Sequence, residues 1–82
     1  MNIEPNKKID SLAILSEAYD HLKGGRYDES EKLSNAVLQL EPQNATAISL
    51  LASCLMKRGI FDKAVQYQEK AVSLEPGNVE HL

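Results

Sequence analysis

With 82 residues, 43% of them hydrophobic and 26% charged, the chain has the composition of one small globular domain and not of a disordered segment. Its net charge of −3 and pI of about 5.3 argue against a nucleic-acid-binding surface, and no stretch is apolar for long enough to predict a membrane span. A single cysteine excludes an internal disulfide, and the first ten residues contain no apolar run typical of a signal peptide. We therefore expect a cytoplasmic protein that binds neither nucleic acid nor membrane.

The spacing of apolar residues predicts four helices, in chain order at about residues 11–23, 28–40, 45–57 and 62–74. No stretch alternates with the period of a strand, so the expected fold is all-α. Asp10 and Asn44 each precede such an apolar run and are predicted N-caps. Asp28, with Glu31 three residues later, resembles a capping box at the start of the second helix.

Turn residues separate the predicted helices. Gly24-Gly25 and Gly59 fall where the first and third helices must end and reverse, and glycine tolerates a positive φ there. The phrase LEPxN follows the second and fourth helices, at residues 40–44 and 74–78. Its leucine is expected to anchor the last helical turn, its proline to stop the helix, and its asparagine to cap the next one.

The two halves of the chain are copies of one unit. Aligning residues 11–44 with 45–78 gives ten identical pairs, where unrelated segments of ordinary composition share about two. We expect two antiparallel helix-turn-helix hairpins over these ranges, stacked on each other. Residues 1–10 are then a tail, and residues 79–82 begin a truncated or capping helix. The identical pairs are Ala13/Ala47, Ile14/Ile48, Ala18/Ala52, Lys23/Lys57, Gly25/Gly59, Asp28/Asp62, Leu40/Leu74, Glu41/Glu75, Pro42/Pro76 and Asn44/Asn78.

The period and the residues that recur in it resemble the tetratricopeptide repeat. In the second unit the matching positions are Ile48, Leu51, Ala52, Leu55, Gly59, Phe61, Ala64, Ala71 and Pro76. In the first unit they are Ile14, Ala18, Gly25, Tyr27, Val37 and Pro42, while Glu17, His21, Ser30 and Ser34 depart from the pattern. The resemblance implies a short right-handed α-solenoid of two repeats.

The resemblance also implies a binding site, because in that family the first helix of each hairpin lines a concave groove that binds peptides. A protein or peptide partner is therefore expected. By offset from the caps, the groove residues would be Leu12, Leu15, Tyr19, Leu22 and Lys23 in the first unit, and Thr46, Ser49, Leu50, Ser53, Met56 and Lys57 in the second. The alternative is that Leu12, Leu15 and Leu50 pack between helices.

The expected groove is apolar with Lys23 and Lys57 at one edge, which favours a largely apolar partner. Some members of the family bind acidic C-terminal tails through a lysine and an asparagine. Leu15 and Tyr19 stand at those positions here, which argues against that ligand.

No arrangement of residues indicates catalysis, a metal site or a cofactor. His21 lies in an apolar stripe and is predicted to be packed or half-buried, and Cys54 is predicted to be a small packed residue on a helix. Tyr19 and Tyr67 stand at helical spacing, for which core packing is more common than ligand binding. The chain is therefore not expected to be an enzyme.

The leading functional hypothesis is a protein-interaction module, with two alternatives. One is an accessory region of a longer enzyme, for example a transferase, and the other is a self-associating structural unit. Two repeats leave the last helix without a following neighbour, so an apolar strip around Val65, Tyr67 and Val72 is expected to be exposed. Homo-oligomerisation through this end, or a further helix in a longer protein, would cover it.

Overall fold

The computed structural model describes residues 10–74, which form four helices and contain no strand. These are α1 (Ser11–Lys23), α2 (Tyr27–Leu40), α3 (Ala45–Lys57) and α4 (Phe61–Leu74). Each helix packs against the next one along the chain, and α1 also contacts α3. The prediction of an all-α fold built from helical hairpins is confirmed, and each helix begins within one residue of its predicted start.

The first helices of the two hairpins begin in the same way. Asp10 Oδ1 accepts a hydrogen bond from the backbone N–H of Ala13 at 3.3 Å, and Asn44 Oδ1 accepts one from Ala47 at 3.0 Å. Each bond satisfies one of the N–H groups that the first helical turn leaves without a partner. Both predicted N-caps are confirmed.

The turns within the two hairpins also share one geometry. The N–H of Arg26 donates to the carbonyl of His21 at 2.8 Å, and the N–H of Gly25 donates to that of Leu22 at 3.1 Å. These paired bonds are the Schellman motif, which requires a left-handed residue after the helix. Gly25 adopts it with φ of 82°, and the second hairpin repeats both bonds with Gly59 at 81°.

The capping box predicted at the start of the second helix is wrong. Asp28 lies inside the first turn of α2, and the N-cap residue, Arg26, makes no side-chain capping bond. Arg58 Nη1 donates to Glu31 Oε2 at 2.8 Å and lies 3.2 Å from Asp28 Oδ1. Both carboxylates therefore pair with a guanidinium of the other hairpin, and the capping pattern, being local in sequence, could not indicate this long-range contact.

A buried cluster joins the two hairpins. It contains Leu15 and Ala18 from α1, Val37 from α2, and Ala47 and Leu50 from α3. Leu15 and Leu50 are only 4% and 8% exposed, so both pack between helices, which was the alternative to a groove position. Leucine side chains buried in this way are among the larger hydrophobic contributions to folding. The half-buried residues around the cluster are Ile14, Leu22, Leu33 and Leu38.

The prediction that Leu40 anchors the last turn of α2 is wrong. Leu40 is 63% exposed, whereas Val37, one turn earlier, is fully buried. Leu40 is the last residue of α2, and Val37 is the last residue of that helix to be fully buried. Its counterpart Leu74, the last residue of α4, is half-buried.

Two serines are buried where α2 meets its neighbours. Ser30 and Ser34 are both 0% exposed, and neither hydroxyl oxygen has a hydrogen-bond partner of normal geometry. Cys54 of α3 lies near Ser30, and burial raises the pKa of its thiol more than the nearby Ser30 hydroxyl lowers it. The predicted packed role of Cys54 is confirmed, since it is fully buried.

Candidate functional site

The surface predicted to be a groove along α1 and α3 contains both exposed and half-buried side chains. Leu12 is 81% exposed and does not pack between helices. Leu15 and Leu50 are taken up by the core, so neither side chain is open to a partner. The remaining candidates are called the groove face below, and they are Tyr19, Leu22, Lys23, Ser49, Ser53, Met56 and Lys57, beside the exposed Leu12 and Thr46.

An aromatic ring and a positive charge lie together near the end of α1. Lys23 Nζ is 5.0 Å from the centre of the Tyr19 ring, which is the geometry of a cation–π contact. Tyr19 is 51% exposed, so it does not take the core-packing role that is more common at this spacing, while Tyr67 is half-buried. The contact restrains two exposed side chains and presents a combined aromatic and cationic surface.

A pocket of about 150 Å³ opens between α3 and α4. Two of its lining residues, Ala52 and Ala64, are 3% and 0% exposed, and neither has side-chain atoms beyond Cβ that could fill the space. A pocket of this volume accommodates one benzene-sized group. The structure thus brings three groove-face residues together with two from the second helix of the hairpin. The lining residues are Ala52, Ser53, Met56, Lys57, Ala64 and Gln68.

Sequence reasoning missed Ala64 and Gln68 as lining residues. It took the site only from the first helix of each hairpin, whereas this pocket lies between the two helices of the second one. The available signal was the pairing of small residues at Ala52 and Ala64, which permits close approach of helices but does not reveal a depression beside them.

A second depression, of about 330 Å³, lies at the turn between α1 and α2. It contains Arg58 together with Asp28, one of its two carboxylate partners. Because this guanidinium is already paired, its charge is less available to a ligand. The lining residues are Gly25, Arg26, Tyr27, Asp28, Glu29 and Arg58.

Neither His21 nor Cys54 belongs to the groove face. His21 is half-buried, as predicted, and its Nδ1 accepts a hydrogen bond from Arg26 Nε at 2.8 Å. Cys54 is buried in α3. Within residues 10–74, no three His, Cys, Asp or Glu side chains come close enough to hold a metal ion. No helix in the same range has both the length and the apolar character needed to cross a membrane.

A family model described as "Tetratricopeptide repeat" matches residues 21–81, which is more than half of the chain. The chain belongs to the tetratricopeptide repeat family. Among curated proteins it is similar to "Protein CTR9 homolog" from Arabidopsis thaliana, with 37% identity over 71 residues. The match covers 85% of this chain but 6% of that relative, so the chain spans a small part of the relative's length.

Residues that depart from the pattern in the first tetratricopeptide repeat have distinct structural settings. Glu17 is exposed on α1, so its carboxylate remains hydrated. Ser30 and Ser34 occupy the seam between the two tetratricopeptide repeats, and their counterparts in the second repeat are Ala64 and Gln68. The first repeat therefore exposes a carboxylate on α1 and buries two serine hydroxyls on α2, where the second repeat has an alanine and an exposed glutamine.

Proposed function

We propose that the chain is a non-enzymatic protein-interaction module whose groove face binds a peptide segment of a protein partner. Membership of the tetratricopeptide repeat family supports the general role. The observation that carries the assignment is the exposure of two large side chains, Tyr19 at 51% and Met56 at 46%, close in sequence to Lys23 and Lys57. Aromatic and methionine side chains are enriched where proteins meet each other.

The partner segment would combine apolar side chains with at least one carboxylate. Lys23 and Lys57 are the last residues of α1 and α3, and neither makes an ion pair within residues 10–74. A carboxylate near these ammonium groups would fix the orientation of the bound segment and speed its association. Tyr19 and Met56 would contact the apolar part of the segment.

The test is selection of binding peptides from a displayed random library on the immobilised chain, followed by affinity measurements on variants. Tyr19→Ala and Met56→Ala should each raise the dissociation constant of the selected peptides about tenfold or more. This corresponds to about 1.4 kcal/mol of binding free energy. Both side chains are about half exposed, so the thermal midpoint should change little. Leu40→Ala is the matched control, because it removes an exposed apolar side chain from α2.

The same experiment can contradict the assignment. If the Tyr19 and Met56 variants bind as tightly as the unchanged chain, the groove face is not the binding site. If both variants lose binding and also unfold at much lower temperature, the two side chains act in folding and the groove role is lost.

A further inference from the structure

Two pairs of residues on the groove face repeat with the period of the chain. Tyr19 and Lys23 of α1 stand 34 positions before Ser53 and Lys57 of α3. The members of each pair are four residues apart, so they lie on the same side of their helix. Both lysines are exposed, and neither makes an ion pair within residues 10–74. The groove face therefore presents two ammonium groups and no carboxylate, although the chain has a net charge of −3.

Packing of a further hairpin leaves these positions open. α3 packs against α1, yet Tyr19 is 51% exposed and Lys23 is exposed as well. The equivalent pair of the second hairpin would stay open beside a further helix in the same way. Such a helix would cover instead the predicted strip on α4, which is confirmed as exposed at Val65 and Val72, at 48% and 47%. The two pairs thus lie off the surface on which one hairpin packs on the next.

The separation of the two lysines follows from the packing of α1 and α3. Both helices are 13 residues long and end at their lysine. Lys23 precedes the turn into α2, and Arg58, which follows Lys57, pairs with two carboxylates in the first turns of α2. The two helices therefore end at the same level. Since helices in contact lie about 8–10 Å apart, the backbone positions of the lysines are separated by about that distance.

We propose that the groove face binds an extended acidic segment in the polyproline II conformation, with carboxylates on two residues three positions apart. This rests on the proposed function, because it specifies the segment that the groove face takes. A polyproline II chain completes one turn in three residues and rises about 9 Å in doing so. It places two such carboxylates on one side at the spacing of Lys23 and Lys57, and Tyr19 contacts the apolar residues beside the first carboxylate.

The hydroxyl of Ser53 favours this conformation over an α-helix. Ser53 is half-buried, and its hydroxyl makes no hydrogen bond within residues 10–74. A polyproline II backbone has no internal hydrogen bonds, so one of its carbonyls can accept from this hydroxyl. The carbonyls of an α-helix are already bonded within the helix. A β-strand is also a poor occupant, since residues three apart point to opposite faces of the strand.

The probe for the test is an acetylated and amidated peptide of six prolines and two glutamates, with the glutamates three positions apart. Two further peptides of the same composition place the glutamates two and four positions apart. Each peptide is titrated into the isotopically labelled full chain. We expect chemical-shift changes at Tyr19 and Ser53. The dissociation constant should be lower by about threefold or more for the three-position peptide, which is the size expected for one exposed ion pair.

Matched variants of the chain test the two lysines. Lys23→Gln and Lys57→Gln should each raise the dissociation constant of the three-position peptide by about threefold or more. Each should also bring the three peptides to nearly equal affinity, because one carboxylate then has no ammonium partner. Lys63→Gln is the control, since it removes the same charge from an exposed position on α4. It should leave both the affinity and the preference for spacing nearly unchanged. All three positions are exposed, so the variants should fold.

Three outcomes would overturn the proposal. Equal affinity of the unchanged chain for the three peptides would show that the lysines do not select a spacing. Absence of shift changes with all three peptides at millimolar concentration would show that the groove face does not take a polyproline II segment. Tighter binding of a stapled α-helical peptide with glutamates seven positions apart would make the occupant a helix. The proposed function is judged separately, by whether the peptides selected from the library depend on Tyr19 and Met56.

Discussion

Glu41 holds the side chain of Asn44 in its capping orientation. Asn44 Nδ2 donates to Glu41 Oε1 at 2.9 Å, which leaves Oδ1 directed at the N–H of Ala47. The hydroxyl of Ser11 also lies 2.8 Å from both carboxylate oxygens of Glu41. One side chain therefore joins the end of α2, the start of α3 and the start of α1, which gives the glutamate of the first LEPxN phrase a structural role.

Asn44→Ala should lower the free energy of unfolding by about 1–2 kcal/mol, because it removes both a helix cap and a partner of Glu41. Asp10→Ala is the matched control, since its capping bond is longer, at 3.3 Å, and exposed. It should cost about 0.5 kcal/mol, at the low end for caps. Urea denaturation measures both, and equal losses would mean that the Glu41 contact adds nothing.

Val37→Ala should destabilise the chain by about 2 kcal/mol, because it deletes two methyl groups from a fully buried site. Leu40→Ala removes more atoms but should cost less than about 0.5 kcal/mol, since Leu40 is mostly exposed. Thermal unfolding of the two variants shows which of the two substitutions costs more stability. A larger loss at Leu40 would restore it as the anchor of α2.

Ser34→Ala should stabilise the chain by about 1 kcal/mol or more, because it removes a buried hydroxyl that has no hydrogen-bond partner. Alanine is also the better helix former by about 0.5 kcal/mol. Ser16→Ala isolates that second contribution, since Ser16 is exposed in the middle of α1. If the two variants gain the same stability, the Ser34 hydroxyl is satisfied in solution.

Alkaline pH should weaken the fold through Cys54. Burial holds the pKa of its thiol above the ordinary value, so the folded chain favours the neutral thiol more than the unfolded chain does. This contribution is present below the pKa of the unfolded thiol and is lost as the pH rises through the raised pKa. Urea denaturation from neutral to alkaline pH should show a steeper loss for the unchanged chain than for Cys54→Ala. Parallel pH profiles would show that the thiol titrates alike in both states.

Apolar spacing and caps were enough to predict the helices, because the residues that set them are neighbours in sequence. Asp10, Asn44, Gly25 and Gly59 each act within about five residues of their own position. The capping box failed for the opposite reason. Arg58 lies 27 positions from Glu31, and no local pattern indicates which distant charge a carboxylate will meet.

The candidate site was harder to predict than the fold. Helical spacing separates one stripe of α1 from another, but it cannot distinguish the stripe that is covered from the one that is open. Leu15 and Tyr19 are both predicted to line the groove, yet they are 4% and 51% exposed. Their burial depends on how α2 and α3 cross α1, and that is a property of the packed hairpins.

The four helices differ in how many neighbours hold them in place. α3 packs against α1, α2 and α4, whereas α4 contacts only α3 among the helices of residues 10–74. Amide hydrogens of α4 should therefore exchange with solvent through opening of that helix alone. Those of α3 should exchange only when the whole fold opens. Any contact made with α4 from outside these four helices would therefore slow exchange there more than in α3, so exchange rates in α4 are the most sensitive measure of what packs on it.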